Sequence, residues 1–454
     1  MMKTIATGAL VAAVTLLAAL MVVSAAAAQQ SQARTWCYGD DSTDDQTIAG
    51  CTQVIQAGRE NKKDLAGAYF NRGLAYKAKS DLDRAIADYT QGIQLSPKDA
   101  MAYTIRGVAY GLKGDFDRAI ADYTQAIQLD PKNAVSYNNR GAAYGIKGNL
   151  DGAIADYARA IQLDPKDANA YNNRCIVYTG KGDLDRAIAD CTQAIRLDPT
   201  AALSYDNRGN AYKDKGDFDR AIADYTQAIQ LNPKDAAPYN NRGFAYKVTG
   251  DLDRSIADYT QAIQLNPKLA KAYSNRCWAY FSKGNNDQAI ADCNQAIELN
   301  PKDPNGYFHR GRANFFAGAL AKALADLDQA SELNPKYAYT ALWVDIVNRR
   351  SNLPSRLSES MKQIDMSKWP APLVRLYLGE LTPEAVLAAA DDPDAATKKG
   401  RLCEANFYGG ELVLQRGAKD EAKRLLQLAA TNCPKSFIEY EDANAQLKAL
   451  DASQ

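Results

Sequence analysis

The apolar positions of this chain recur on two scales. Over a short window they follow helical spacing: in FDRAIADYTQAIQLDP (116–131), Ile120, Tyr123, Ala126, Ile127 and Leu129 fall on one stripe. Over a longer range, whole windows return. The triplet Asn-Arg-Gly or Asn-Arg-Cys, with IRG and HRG as variants, places Gly73, Gly107, Gly141, Cys175, Gly209, Gly243, Cys277 and Gly311 at intervals of 34 residues. With these as position 8, eight units begin at Ala66, Ala100, Ala134, Ala168, Ala202, Ala236, Ala270 and Pro304, and the last ends at Tyr337. Each unit predicts two helices. The first holds a glycine that permits close helix approach, a turn such as Gly114-Asp115 follows, and a proline at position 32, such as Pro131, stops the second.

A lone helical hairpin cannot bury its apolar face, whereas stacked hairpins can. The 34-residue helix–turn–helix, with small residues at positions 8 and 20 and proline at 32, resembles the tetratricopeptide repeat over residues 66–337. That resemblance implies an all-α fold, a right-handed superhelix (an α-solenoid) whose first helices line a concave groove. DDQTIAGCTQVIQAG (44–58) matches only the second helix of a unit, so residues 29–65 are expected to form a cap with one helix. Residues 338–402 break the frame, with helices expected at 338–350 and, after a Thr-Pro-Glu signal, at 381–390. Residues 403–436 return to it as a ninth hairpin, with Gly410 at position 8, Gly417 at 15, Ala422 at 20 and Pro434 at 32. Residues 437–454 supply a closing helix and tail.

The first 28 residues change the expected compartment. One lysine, a long apolar run and an Ala26-Ala27-Ala28 end read as a secretory signal cleaved after Ala28, with an uncleaved membrane anchor as the rival. The remainder holds no second spanning segment, so a periplasmic or secreted protein without stable membrane insertion is expected. Eight cysteines in such a chain imply disulfides, and the lack of any C-x-x-C lowers zinc and thioredoxin-type readings. In an antiparallel hairpin, facing residues have a constant sum of positions. Cys175–Cys191 and Cys277–Cys293 occupy positions 8 and 24, and Cys403–Cys433 occupy 1 and 31; each pair sums to 32. In the other six units position 8 is glycine and position 24 is Tyr five times and Leu327 once, so the two cysteines replace one contact together. Cys37–Cys51 follows by elimination as a clamp on the cap.

Lys plus Arg and Asp plus Glu both number 54, which removes the basic excess a nucleic-acid partner requires. Arg stands at position 7 and Asp at position 23 of every unit, from Arg72 and Asp88 to Arg310 and Asp326, and predicts a ladder of semi-buried pairs within a unit or with its neighbour. Tyrosine at positions 4 and 11 reads as core. Position 6 is Asn71, Asn139, Asn173, Asn207, Asn241 and Asn275, with Ile105 and His309 as exceptions. In the resembled family such amides form a ladder that bonds an extended peptide; local capping is the alternative. The variable groove positions 2, 5, 9 and 12 are polar in units three to five, with Asn138, Asn169, Asn172, Thr179, Asp206, Asn210 and Lys213. Lys271 also sits at position 2. Toward the end these positions become Phe244, Trp278, Phe281, Phe308, Arg312 and Phe315, which make either an exposed hot spot or a surface packed beneath the C-terminal region. The family's clamp for terminal carboxylates is not matched, because Asp206 has the wrong charge and Asn275 stands where a base belongs.

The order ALWVDI, WPAPLVRLYLGELTPEAV, CEANFYGGELVL and FIEYEDANAQL resembles a periplasmic tetratricopeptide lipoprotein family that acts as an adaptor for cell-wall hydrolases and a processing protease. The resemblance covers the last quarter, implies such partners and a homodimer, and lacks the lipidated cysteine. No cofactor is expected. An enzyme is disfavoured because His309 is the single histidine and no nucleotide-binding glycine loop occurs. A thiol redox carrier is disfavoured because nothing marks an exposed, low-pKa thiol. The expected function is an exported, non-enzymatic scaffold that binds protein segments in its groove.

Overall fold

The computed structural model describes residues 28–435 and 437–452; the segment read as a signal lies outside them apart from Ala28. The regular structure of the described residues is all helix, without strands, and they fall into two compact units that meet in sequence at Pro199 and Thr200. The predicted eight-unit array is thus divided between them. In each unit, 34-residue hairpins stack in tandem as a solenoid.

One hairpin shows why the frame folds as it does. Asp99 caps Ala100–Leu112 by accepting from the Met101 and Ala102 amides, Gly114 turns the chain at φ +82, and Asp115 caps Phe116–Leu129 through the Arg118 amide. Glycine holds the turn in seven units, but Ser80 adopts φ +62 in the first. At the centre of the hairpin, a Cβ on Gly107 would lie 2.7 Å from Cε1 of Tyr123; the matching distances are 2.6 Å at Gly73 and 2.7 Å at Gly209. No side chain fits between these helices. Where glycine is replaced, the ring is removed with it: Cys175–Cys191 and Cys277–Cys293 are bonded across the same contact, with Cα separations of 5.5 and 5.4 Å. The other two bonds are Cys37–Cys51 and Cys403–Cys433.

The charged ladder does two jobs. In the second repeat, Arg106 Nε and Nη2 donate to the two oxygens of Asp122 at 2.8 Å each, a bidentate pair inside one hairpin. The remaining nitrogen, Nη1, donates to Thr90 Oγ1 of the preceding hairpin at 3.1 Å. Arg140, Arg242 and Arg276 repeat this with Thr124, Thr226 and Thr260. The cap takes part, since Arg72 reaches Thr52 at 3.0 Å.

The cap differs from expectation. It has two helices, residues 28–38 and Asp44–Ala57, joined by the Cys37–Cys51 bond. The first substitutes for the missing first helix of a repeat, and Asn71 Nδ2 donates to the Cys37 carbonyl at 3.0 Å. Its sequence carries no repeat signature, so only its partner helix matched the frame.

At the other end, Ala338–Arg350 buries Trp343, Leu342 and Ile346 completely and seeds a large apolar core. Ala395–Gln415 and Lys419–Asn432 form the ninth hairpin, with Gly410 against Leu426 at the same central contact, although its first helix begins eight residues earlier than the frame predicts. The second expected helix of this region spans Pro383–Ala389 and the closing helix Ile438–Ala452. No described helix is long and apolar enough to cross a membrane.

Candidate functional site: the first-helix faces

Asn173, Asn241 and Asn275 at position 6 do not stand free. Asn173 Nδ2 donates to Asn138 Oδ1 at 3.2 Å, Asn241 Nδ2 to Asp206 Oδ1 at 3.0 Å, and Asn275 Nδ2 to Asn240 Oδ1 at 3.0 Å. Each acceptor is position 5 of the preceding repeat, so the amides stitch repeats together rather than cap a turn. Both oxygens of Asp206 are engaged, the second by Asn210 Nδ2 at 3.2 Å, and Asn210 in turn accepts from the Tyr225 hydroxyl at 3.0 Å. Burial pushes the Asp206 carboxyl above the usual range, and these amides pull against that shift. Asn139, Asn173 and Asn207 are half-buried and Asn172 is buried. Lys271 is exposed at the rim.

The aromatic and arginine cluster requires a correction. Phe281, Phe308, Arg312 and Phe315 are buried, and Trp278 is half-buried; they do not form an open hot spot. Phe315 packs edge-on against Trp343 with centroids 5.3 Å apart, and Phe308 against Tyr337 at 6.1 Å. The closing helix lies on the rest. Glu441 ion-pairs with Lys247 Nζ at 2.6 Å and accepts from Trp278 Nε1, while Asp442 accepts from Arg312 Nη2 at 2.6 Å. Phe244 leans on Trp278 with centroids 6.4 Å apart, and His309 stacks on Trp278 at 5.4 Å and 14°. The physical reason is that the closing helix returns onto these first-helix faces, and a fully buried guanidinium requires a carboxylate, which Asp442 supplies.

These charges perturb one another. Burial lowers Lys247 to about 8 and raises Asp442 to about 7 despite Arg312 beside it. Burial also holds His309 well below its usual value, helped by Arg312 and Lys247.

The first unit presents the opposite surface. Met101 and Val135 at position 2, Leu74 and Ile176 at position 9, and Leu112 and Ile146 at position 13 are exposed, at 53%, 55%, 37%, 46%, 63% and 65% respectively. Positions 2, 9 and 13 share one helix face. Val135 and Ile176 correct the expectation that groove positions 2 and 9 are polar in repeats three to five. Their signal was an apolar side chain at a groove position whose helix already has its core stripe.

Two repeat families match the chain. The family described as "Tetratricopeptide repeat" matches residues 66–99, 134–167, 168–201, 236–269 and 270–303, and a second, "TPR repeat", matches 112–145 and 209–250. Similar solved structures include a tetratricopeptide repeat protein from Parabacteroides merdae (21% identity, 55% of this chain and 98% of that one, TM-score 0.46). MamA aligns at 29% identity over 36% of this chain and 96% of its own, with a TM-score of 0.34. YrrB, described as having an unusual peptide-binding site, aligns at 22% over 40% and 95%, TM-score 0.34.

Proposed function

Taking an array of tetratricopeptide repeats as the premise, we propose that this protein is an exported, non-enzymatic scaffold that binds segments of other proteins along its first-helix faces. The observation that carries the reading is the row of exposed apolar side chains at positions 2, 9 and 13 of the first unit. Such a row at one face of adjacent hairpins offers regularly spaced anchors for an apolar segment. Four disulfides with no free cysteine among the described residues support an oxidising compartment. The resemblance of the last quarter makes cell-wall hydrolases and an envelope protease the partners to test first. Val135→Asp and Ile176→Asp, made separately in the full chain, are expected to lose crosslinked partners from envelope extract while keeping the wild-type melting temperature. Retention of every partner by both variants would refute the assignment.

A further inference from the structure

In the C-terminal region a cavity of about 200 Å³ is walled by five aromatic rings: Phe308, Tyr337, Tyr339, Tyr408 and Phe437. The rings meet at angles, Phe308 edge-on to Tyr337 with centroids 6.1 Å apart, Tyr337 to Tyr339 at 5.3 Å and Tyr339 to Tyr408 at 6.3 Å. Two carboxyls share the lining, Glu404 at 7% and Glu439 at 6% exposure.

The two carboxyls are not equivalent. Glu404 is held by two donors, Tyr339 Oη at 2.8 Å and Trp369 Nε1 at 2.6 Å. Glu439 has one long side-chain bond, from Tyr408 Oη to Oε1 at 3.4 Å, and a bond from its own backbone amide. Neither forms an ion pair among the described residues, although the neighbouring buried acids Asp442, Glu411 and Glu441 all do. A buried carboxyl without an ion-pair partner, beside a second one in an aromatic-walled space, is suited to one more positive charge; Arg312 acts on Glu439 and Arg401 on Glu404 only from beyond ion-pair distance. The faces of the rings favour the same charge through their quadrupoles.

We propose that this cavity is a binding site for an organic ammonium group, either a free amine or the side-chain amine of a lysine in a bound protein. Glu439 supplies the counter-charge and Glu404 the fixed second carboxyl, with Tyr337, Tyr339 and Tyr408 as the cage. The proposal does not depend on the scaffold reading, since a free amine would fill the cavity as readily as a partner's lysine.

The electrostatics add a signature. Burial first, then the Glu404 charge, raises Glu439 to about 8; Asp442 adds to the rise and Arg312 opposes it. The remaining groups facing Glu439 are the hydroxyls of Tyr337, Tyr339 and Tyr408. At neutral pH the empty site therefore holds a proton on Glu439, and an arriving ammonium displaces it. Binding should release one proton, and affinity should rise about tenfold for each pH unit up to that value.

The test is calorimetric titration of the full chain at pH 6, 7 and 8 with N-acetyl-lysine methylamide, cadaverine and the neutral N-acetyl-norleucine methylamide. Both amines are expected to bind, more tightly at higher pH, with proton release seen as a buffer-dependent heat. Cadaverine alone would assign a free amine, and the lysine probe alone a peptide. Glu439→Gln is expected to weaken both about tenfold or more while leaving the melting temperature at pH 7 unchanged, because the carboxyl it replaces is already neutral there in the empty site. If the amines bind wild type no better than the norleucine probe, or if Glu439→Gln binds them as wild type does, the site is wrong.

Discussion

The first helices of the two units share a frame and differ in what covers them. Through Pro199, positions 2, 9 and 13 carry exposed Met101, Val135, Leu74, Ile176, Leu112 and Ile146. From repeat six onward, positions 9 and 12 carry Lys247, Trp278, Phe281, Arg312 and Phe315, and the closing helix or Trp343 buries most of them. The Arg–Asp ladder and the position 8/24 contact are the same in both. The framework therefore sets the fold, and the first-helix face is free to vary with its occupant. Aromatic and charged residues on a groove face are not by themselves a sign of an open site. In the second unit they mark a place where the chain is its own ligand.

The comparison can be broken most severely at Arg312. Arg312→Ala strands Asp442, whose neighbourhood is fully buried, and should cost about 3–5 kcal/mol. Hydrogen exchange should show the loss in the closing helix and not in residues 66–199. The two versions of the central contact allow a sharper test. Cys191→Tyr alone sets a ring against Cys175 and should cost about 3 kcal/mol for the lost bond and about 1–3 more for overpacking. Adding Cys175→Gly restores the pairing of Gly141 with Tyr157 and should recover the second part, as read from urea midpoints under non-reducing conditions. Gly107→Ala, with its Cβ 2.7 Å from Tyr123, should cost about 1–3 kcal/mol in the first unit.

A milder change uses pH. Glu439 and Asp442 are raised, to about 8 and about 7, so the folded state holds protons that the unfolded chain releases. That stability is present at low pH and is lost as pH rises through the folded values. His309, held low, acts oppositely below 6.5. Lys247, lowered to about 8, acts oppositely only above that value. Between pH 6.5 and 8 the carboxyls dominate, and the melting temperature of the second unit should fall. The smallest effect is at Ser80. Its left-handed backbone costs what its glycine counterparts avoid, so Ser80→Gly should stabilise the first unit by about 0.5–1 kcal/mol in a denaturant titration.

What the sequence revealed follows the same division. The Gly–Tyr and Cys–Cys contacts, the Arg–Asp pairs and the helix limits were legible because each recurs every 34 residues, and recurrence separates a rule from an accident. The stitching of Asn241 to Asp206 was also within reach: the acceptor lies 35 residues back, and an aspartate at a groove position was a clue. The seating of Asp442 on Arg312 was not, because the two lie 130 residues apart and the contact occurs once. Its faint trace was His309 at a position otherwise held mostly by asparagine. The aromatic cavity was equally hidden. It gathers residues from the last repeat, the helix after it, the ninth hairpin and the closing helix, and no local pattern joins them.

The reach of arginine Nη1 back to the preceding hairpin has an evolutionary consequence. Most seams within a unit are alike: Thr52, Thr90, Thr124, Thr226 and Thr260 each offer a hydroxyl to the next arginine, Asn294 offers an amide oxygen to Arg310, and only the seam before Arg174 lacks the acceptor, because Ala158 stands there. Deleting or duplicating one complete 34-residue segment that ends in such an acceptor would therefore leave the next donor with a partner, provided the cut respects the register. Even the cap conforms, since Thr52 offers Arg72 what most repeats would. Gene-level slippage between near-identical copies would thus yield longer or shorter arrays that fold without compensating mutations.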